Sequence, residues 1–270
     1  MSDSSGKSDT KEIVDEHRPL TSEETFRVVS ESGQEELRRP AFSLMWSGLA
    51  AGLALGFSVV TEAVMIGHLP KDAAWTPLVA DMGYTVGFVL VVLGRLQLFT
   101  ENTITPVLSI CKHPTRSNFA ALGRNWSIVL SANLAGAFLF AAFAMLTPAI
   151  SPEAKTGILE LGRHVAHDGF MVTVVKGIGA GFLIAALVWV LANTESSKFF
   201  VVFVVTYVIA LCGFAHVIAG TMEISALILA GQLGISAAIF GFIVPALIGN
   251  IIGGTVLFGF ISYAQVSREL

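Results

Sequence analysis

Two stretches of the chain, residues 77–109 and 199–231, each run for 33 residues with few charges. As one straight α-helix each would measure ~50 Å, against a bilayer hydrocarbon core of ~30 Å. Each also holds polar groups near its middle: Gln97, Thr100, Glu101 and Asn102 in the first, and His216 between Gly213 and Gly220 in the second. Both read as interrupted helices. Non-helical backbone at membrane depth is tolerated only inside protein or along a watery cavity, so the two interruptions are expected to meet at a pathway.

Four further apolar runs, near 42–67, 126–148, 170–192 and 238–264, bring the expected spans to six. The fold class is therefore all-α integral membrane, in keeping with a chain that is 54% hydrophobic, 13% charged and of mean hydropathy +0.73. Cys111 and Cys212 have no ligand-like spacing, so neither a disulfide framework nor a metal site is expected, and no cofactor is called for. No basic cluster suggests nucleic acid as a partner. No nucleophile–base arrangement or phosphate loop suggests an enzyme.

Six crossings put both termini on one side. Arg38, Arg39, Lys112, Arg116, Arg124, Lys198 and Arg268 lie near span ends on that side, with Lys71, Lys155 and Arg163 opposite. The excess places both termini in the cytoplasm of a multi-pass cell-membrane (inner or plasma membrane) protein. Residues 1–20 are polar enough to be a disordered tail. Residues 21–40 read as an amphipathic cytoplasmic helix, with Thr21 and Glu24 in capping-box spacing and Phe26, Val29 and Leu37 as apolar contacts, either a solvated interfacial helix or a gate. Residues 41–270 form the six-helix transmembrane domain.

The second half echoes the first. "SGLAAGL" at 47–53 meets "KGIGAGF" at 176–182, "ANLAGAF" at 132–138 meets "GNIIGGT" at 249–255, and Gly94 falls on Gly213. Three spans per half make this an inverted 3+3 repeat, which places a site midway. The small residues also suit plain helix packing. Asn133 and Asn250 are more pointed, because a buried amide can bind the open backbone of a neighbouring broken helix.

"LFTENTI" at 98–104, "GFAHVIAG" at 213–220 and "VPALIGNIIGG" at 244–254 resemble the three landmarks of the formate/nitrite transporter family, in order, from about Met45 to Ala264. "GRLQLFTENTITPVL" is most similar to its YfdC-like branch. The resemblance implies an aquaporin-like protomer in a homo-oligomer, a pentamer, embedded in lipid, each protomer passing small monovalent anions such as formate, nitrite or acetate. It implies Thr100 and His216 as the facing pair at the pore centre. It also implies apolar constrictions at Leu98, Phe99, Tyr84 and Ile209, with Phe88 at a further lining position. Gly220 stands where the family usually has asparagine, and Ala215 where it often has a polar or acidic residue. The family's vestibule lysine has only Arg163 and Lys176 as candidates, while Arg95, Glu101 and Glu223 are added charges.

A histidine with a reference pKa of ~6.5 can be protonated, attract a weak-acid anion and pass it a hydrogen bond or proton, which removes most of the cost of moving a bare anion through an apolar slit. The plainer reading makes His216 a structural histidine on backbone carbonyls and Thr100 a residue bonding its own backbone. Arg95 and Glu101 are expected to form an ion pair that pins the loop; the alternative has Arg95 attracting the anion and Glu101 shaping selectivity. Asn102 and Glu223 are uncertain polar candidates, Glu223 as a mirror-related partner of that pair, and Lys176 is expected to snorkel to the interface. Besides an anion channel, a pore for a small neutral solute or one closed under most conditions remains open.

Overall fold

The computed structural model describes residues 18–194 and 196–269, and all regular structure among them is helical. Residues 1–17 of the expected tail lie outside the described residues. In chain order the helices are α1 (Ser22–Arg38), α2 (Ala41–His68), α3 (Thr76–Ala80), α4 (Thr85–Leu93), α5 (Thr105–Lys112), α6 (Arg116–Leu146), α7 (Pro152–Ala166), α8 (Phe170–Ala192), α9 (Lys198–Leu211), α10 (Val217–Leu229) and α11 (Ile235–Val266). Among the described residues, five stretches are long and apolar enough to cross a membrane: α2, α3–α4 together, α6, α8 and α11; α9 and α10 are apolar but shorter.

The core is apolar and continuous through the middle of the bundle, with Leu55, Phe88, Leu98, Ile184, Ile209 and Met222 all buried. The outside is also apolar, with Phe42, Trp46, Met171, Phe200, Phe240 and Ile261 exposed. A helix face that is apolar both inward and outward suits lipid rather than water.

The halves repeat the same close approaches. A Cβ on Gly52 would lie 2.2 Å from the Asn133 carbonyl oxygen, and one on Gly181 would lie 2.2 Å from that of Asn250. In the reverse sense, a Cβ on Gly136 would meet Leu49 O at 2.4 Å, and one on Gly253 would meet Ile178 O at 2.1 Å. No side chain fits at any of these four positions, so α2 packs on α6 as α8 packs on α11, backbone against backbone.

Three boundaries depart from expectation. α6 starts at Arg116 rather than near 126, because Thr115 caps it by accepting from Asn118 N–H and the polar first turns continue beyond the apolar run. That extension carries Arg124 to α1, where it donates to the carbonyls of Leu37 (2.8 Å) and Arg39 (3.0 Å). α7 falls where the sequence suggested only a connection; Ser151 caps it and Pro152 occupies its first turn. α11 is longer than 238–264 and widens to π turns over Ile239–Ile243 and Ile252–Gly259. The first lies directly before Pro245, which has no N–H to continue the α ladder.

α1 has both arms of the capping box, Glu24 N–H donating to Thr21 Oγ1 and Thr21 N–H to Glu24 Oε2. A hydrogen bond from Arg18 holds the Glu24 carboxyl down at about 2, helped by the Thr21 amide. Phe26, Val29 and Leu37 are buried, Phe26 against the ring of Tyr263, and Asn193 donates to Thr25 Oγ1. A Cβ on Gly33 would fall 2.1 Å from Thr105 O, so α1 lies directly against the first turn of α5.

Candidate functional site

α4 and α9 end in the same way. After α4, Arg95 adopts a left-handed conformation (φ 51°), its N–H donating to Val92 O and that of Leu96 reaching back to Val91 O at 3.0 Å. After α9, Gly213 does the same (φ 59°), its N–H donating to Ala210 O and that of Phe214 to Ile209 O at 3.0 Å. This is the helix stop that favours glycine, and Arg95 occupies it at a steric cost. The equivalent of Gly213 is thus Arg95, one residue beyond the Gly94 that the sequence comparison aligned with it.

The extended segments that follow are held by the two asparagines. Asn133 Oδ1 accepts from Phe99 N–H (2.8 Å), and its amide donates to Gln97 O and Gly48 O (both 2.8 Å). Asn250 Oδ1 accepts from Val217 N–H (2.9 Å), and its amide donates to Ala215 O (2.8 Å) and Gly177 O (2.9 Å). Each side chain satisfies two backbone groups that have no helix to pair with and ties them to a carbonyl inside a neighbouring helix, Gly48 O on α2 or Gly177 O on α8. Both asparagines are fully buried, so no water substitutes.

The breaks meet where Thr100 Oγ1 lies 2.8 Å from His216 Nε2, both buried. His216 is the N-cap of α10, its Nδ1 accepting from Ala219 N–H at 3.3 Å. An accepting Nδ1 puts the proton of the neutral ring on Nε2, which therefore donates to Thr100 Oγ1. The ring edge is fixed by Phe88, 4.9 Å away in a T-shaped contact, and Phe88 is in turn 5.2 Å from Tyr84.

One side of His216 opens on a cavity of about 420 Å³ that extends to α7. Tyr84, Phe214, Phe242, Glu62, Glu223 and Asp81 stand on its wall. Tyr84 is thus a wall residue. Phe88, Leu98, Phe99 and Ile209, also expected as pore lining, are buried in the core and do not border this cavity. Phe99 packs edge-on to Trp126, whose indole N–H donates to Asn102 O; the Asn102 amide donates to Gln97 Oε1. Asn102 therefore braces the first break.

Arg95 and Glu101 are not paired. Arg95 is exposed, and Glu101 Oε1 is buried without a hydrogen-bond partner among the described residues. Between them the chain turns, with Asn102 N–H donating to Leu98 O at 3.2 Å. Glu223 is not their mirror image either, since it faces the cavity from the middle of α10. Lys176 forms an ion pair with Asp168 at 2.6 Å instead of extending freely, and Arg163 donates to Gln232 at 2.9 Å; neither lines the cavity. Three titratable wall residues escaped the sequence reading: Glu62, Asp81 and His164. Glu62 carried a usable signal, being the one acidic residue within the long apolar α2.

Comparison with known proteins agrees with this architecture. Residues 23–264 match the family model described as formate/nitrite transporter. The chain is 34% identical to the inner membrane protein YfdC of Escherichia coli K12 over 96% of this chain and 83% of that protein. It is 25% identical to the formate channel FocA of the same organism, covering 90% and 93% of the two chains. Among solved structures, a pentameric formate channel with formate bound superposes with a TM-score of 0.70 at 20% identity, over 84% of this chain and 98% of that one. An ion channel of the same family reaches 0.77 at 17% identity, covering 89% and 98%.

Proposed function

Because the chain belongs to the formate/nitrite transporter family, we propose that it is a multi-pass membrane channel for small monovalent weak-acid anions of the formate, nitrite and acetate class. The observation that carries this reading is the Thr100–His216 contact at the end of a cavity, made where two helix breaks meet. A permeant reaching that point meets the Nε2–H of His216 and the Thr100 hydroxyl, two donors suited to a carboxylate or nitrite oxygen. The N-terminus of α10 adds a favourable field for negative charge, and the apolar surroundings strengthen both effects.

The same reading takes the chain to cross the membrane six times as an inverted 3+3 repeat. α3–α5 form one broken crossing and α9–α10 the other, which the matched asparagine clamps and glycine contacts support. Residues 41–270 are the channel domain and 21–40 a cytoplasmic helix docked beneath it. Both termini lie inside, and the α7 side faces out. The apolar outer surface and the likeness to a pentameric formate channel support assembly as a pentamer. His216 linking permeation to protons belongs to this proposal as well.

One observation favours a second reading. The cavity wall has three carboxylates and, among the described residues, no lysine or arginine, a wall better suited to a neutral solute than to a free anion. Uptake into proteoliposomes at external pH 5 and 7.5 decides between them. Saturable entry of radiolabelled formate and acetate, faster at pH 5, is the expected result. Entry of urea or glycerol without formate would replace the anion reading.

A further inference from the structure

Glu62 on α2 and Glu223 on α10 are each only 7% exposed, and both line the cavity that leads to His216. No hydrogen bond or ion pair joins either carboxyl to another described residue. The other titratable groups on this wall are Asp81, Tyr84, His164 and His216. Nine-tenths-buried carboxyls aimed into a cavity, without a cation beside them, require something from the cavity itself.

Their placement says what that is. Glu223 follows His216 by seven residues, two turns or ~10 Å along the same face of α10. Between them on that face is Gly220, also on the cavity wall, where a Cβ would fall 2.1 Å from the Phe242 ring. The missing side chain admits the Phe242 ring against α10, so the path from carboxyl to imidazole runs along an aromatic wall with no polar group of α10 between them. Gly83 and Gly162 bring neighbouring backbone against Glu62 and Glu223, at 2.6 Å from Glu62 N and 2.8 Å from Glu223 O for an added Cβ, so both acids are held in fixed frames.

We propose that Glu62 and Glu223 form a proton-transfer site that loads the permeating weak acid before it reaches His216. The inference rests on the weak-acid reading above. A protonated glutamic acid gives its proton to the incoming anion: the Glu O–H bond breaks, the O–H bond of the neutral acid forms, and a glutamate remains. Hydronium from the outer solution reprotonates that glutamate, so one proton enters with each anion. The reference pKa of a glutamic carboxyl, ~4.3, lies in the range of simple carboxylic acids, and transfer between matched groups needs little driving force. A pair left deprotonated repels the next anion across an apolar cavity, which ties entry to reloading. Thr100 and His216 then receive a neutral molecule.

The test follows formate and protons together in proteoliposomes carrying a trapped pH-sensitive dye, at external pH 5.5 and 7.5. It compares the wild type with Glu62→Gln, Glu223→Gln, the double variant and Glu223→Asp, with intact assembly checked by size exclusion. Expected are about one proton per formate in the wild type, and a roughly 10²-fold fall in uptake in the double variant with loss of its pH response. The single glutamine variants fall between, and Glu223→Asp keeps the pH response. Unchanged uptake and proton count in the double variant overturn the inference while leaving the weak-acid channel standing. Faster uptake at pH 7.5 in that variant does the same, because the acids would then be a simple barrier. A wild type that moves no formate overturns both.

Discussion

The breaks at residues 94–104 and 212–216 begin alike and finish differently. Both follow a helix that ends on a left-handed residue, and both are clamped by one asparagine at three backbone groups. The second then turns straight into α10 with His216 as cap, whereas the first winds through Thr100–Ile104 before α5 begins. The common part is what any interrupted helix needs in lipid: a stop, and partners for the freed backbone. The differing part holds the chemistry. The extra turn of the first break carries Thr100 across to His216, and Thr103 steadies it by donating to Thr100 O at 2.7 Å.

Removing the clamps tests the shared part and has the largest expected effect. Asn250→Ala leaves Val217 N–H and Ala215 O unpaired, and Asn133→Ala does the same to Phe99 N–H and Gln97 O. At about 1–3 kcal/mol per orphaned group, either change is expected to cost about 2 kcal/mol or more. It is read as loss of folded oligomer or a sharply lower thermal midpoint in detergent. A large loss for one asparagine and none for the other would break the equivalence of the halves.

The helix stops give the next largest effect, with opposite signs. Gly213→Ala forces a side chain into the left-handed region and is expected to destabilise by about 1–2 kcal/mol, while Arg95→Gly relieves the same strain and raises the midpoint. Equal responses to the two changes would contradict the pairing of Arg95 with Gly213.

A double-mutant cycle on Arg95→Ala and Glu101→Gln is expected to give a coupling within about 0.5 kcal/mol, because the two side chains do not meet. A larger coupling would restore the ion pair. The smallest effect lies away from both breaks. Arg18 holds the Glu24 carboxyl at about 2, below its ordinary value, so the α1 cap is fully present at neutral pH and is lost as pH falls toward 2. Thr21→Ala should speed amide exchange in the first turn of α1 without altering the rest of the bundle.

The long apolar runs, their polar interruptions, the pair Asn133–Asn250 and the ring of His216 were legible because each is an exception to lipid chemistry: an excess length, a polar amide, an ionisable group; Thr100 as the partner of His216 followed from the family resemblance alone. What the sequence hid was direction. Arg95 and Glu101 looked complementary in charge, but the fold leaves Arg95 exposed and buries Glu101 Oε1, which charge alone does not tell. Leu98, Phe99 and Ile209 are apolar in a core or a pore wall alike, and nothing in their identity tells which surface they cover. The polar start of α6 and the whole of α7 lie beyond the apolar runs, where helix formation depends on the Thr115 and Ser151 caps rather than on hydropathy. Glu62 obeyed the rule that identified His216, an ionisable group within an apolar span, yet it stands in a continuous helix and so drew no attention.

The most direct test of the central claim is formate uptake by His216→Asn in proteoliposomes, alongside Thr100→Val and the wild type. Removing the Nε2–H donor from the meeting point of the two breaks is expected to slow uptake by roughly 10–100-fold, the cost of leaving a buried acceptor without its donor, while the oligomer stays intact. Thr100→Val is expected to lower it less, since His216 retains its cap on α10 and its own donor. Wild-type rates in His216→Asn, with assembly preserved, would contradict the claim that permeation runs through this contact.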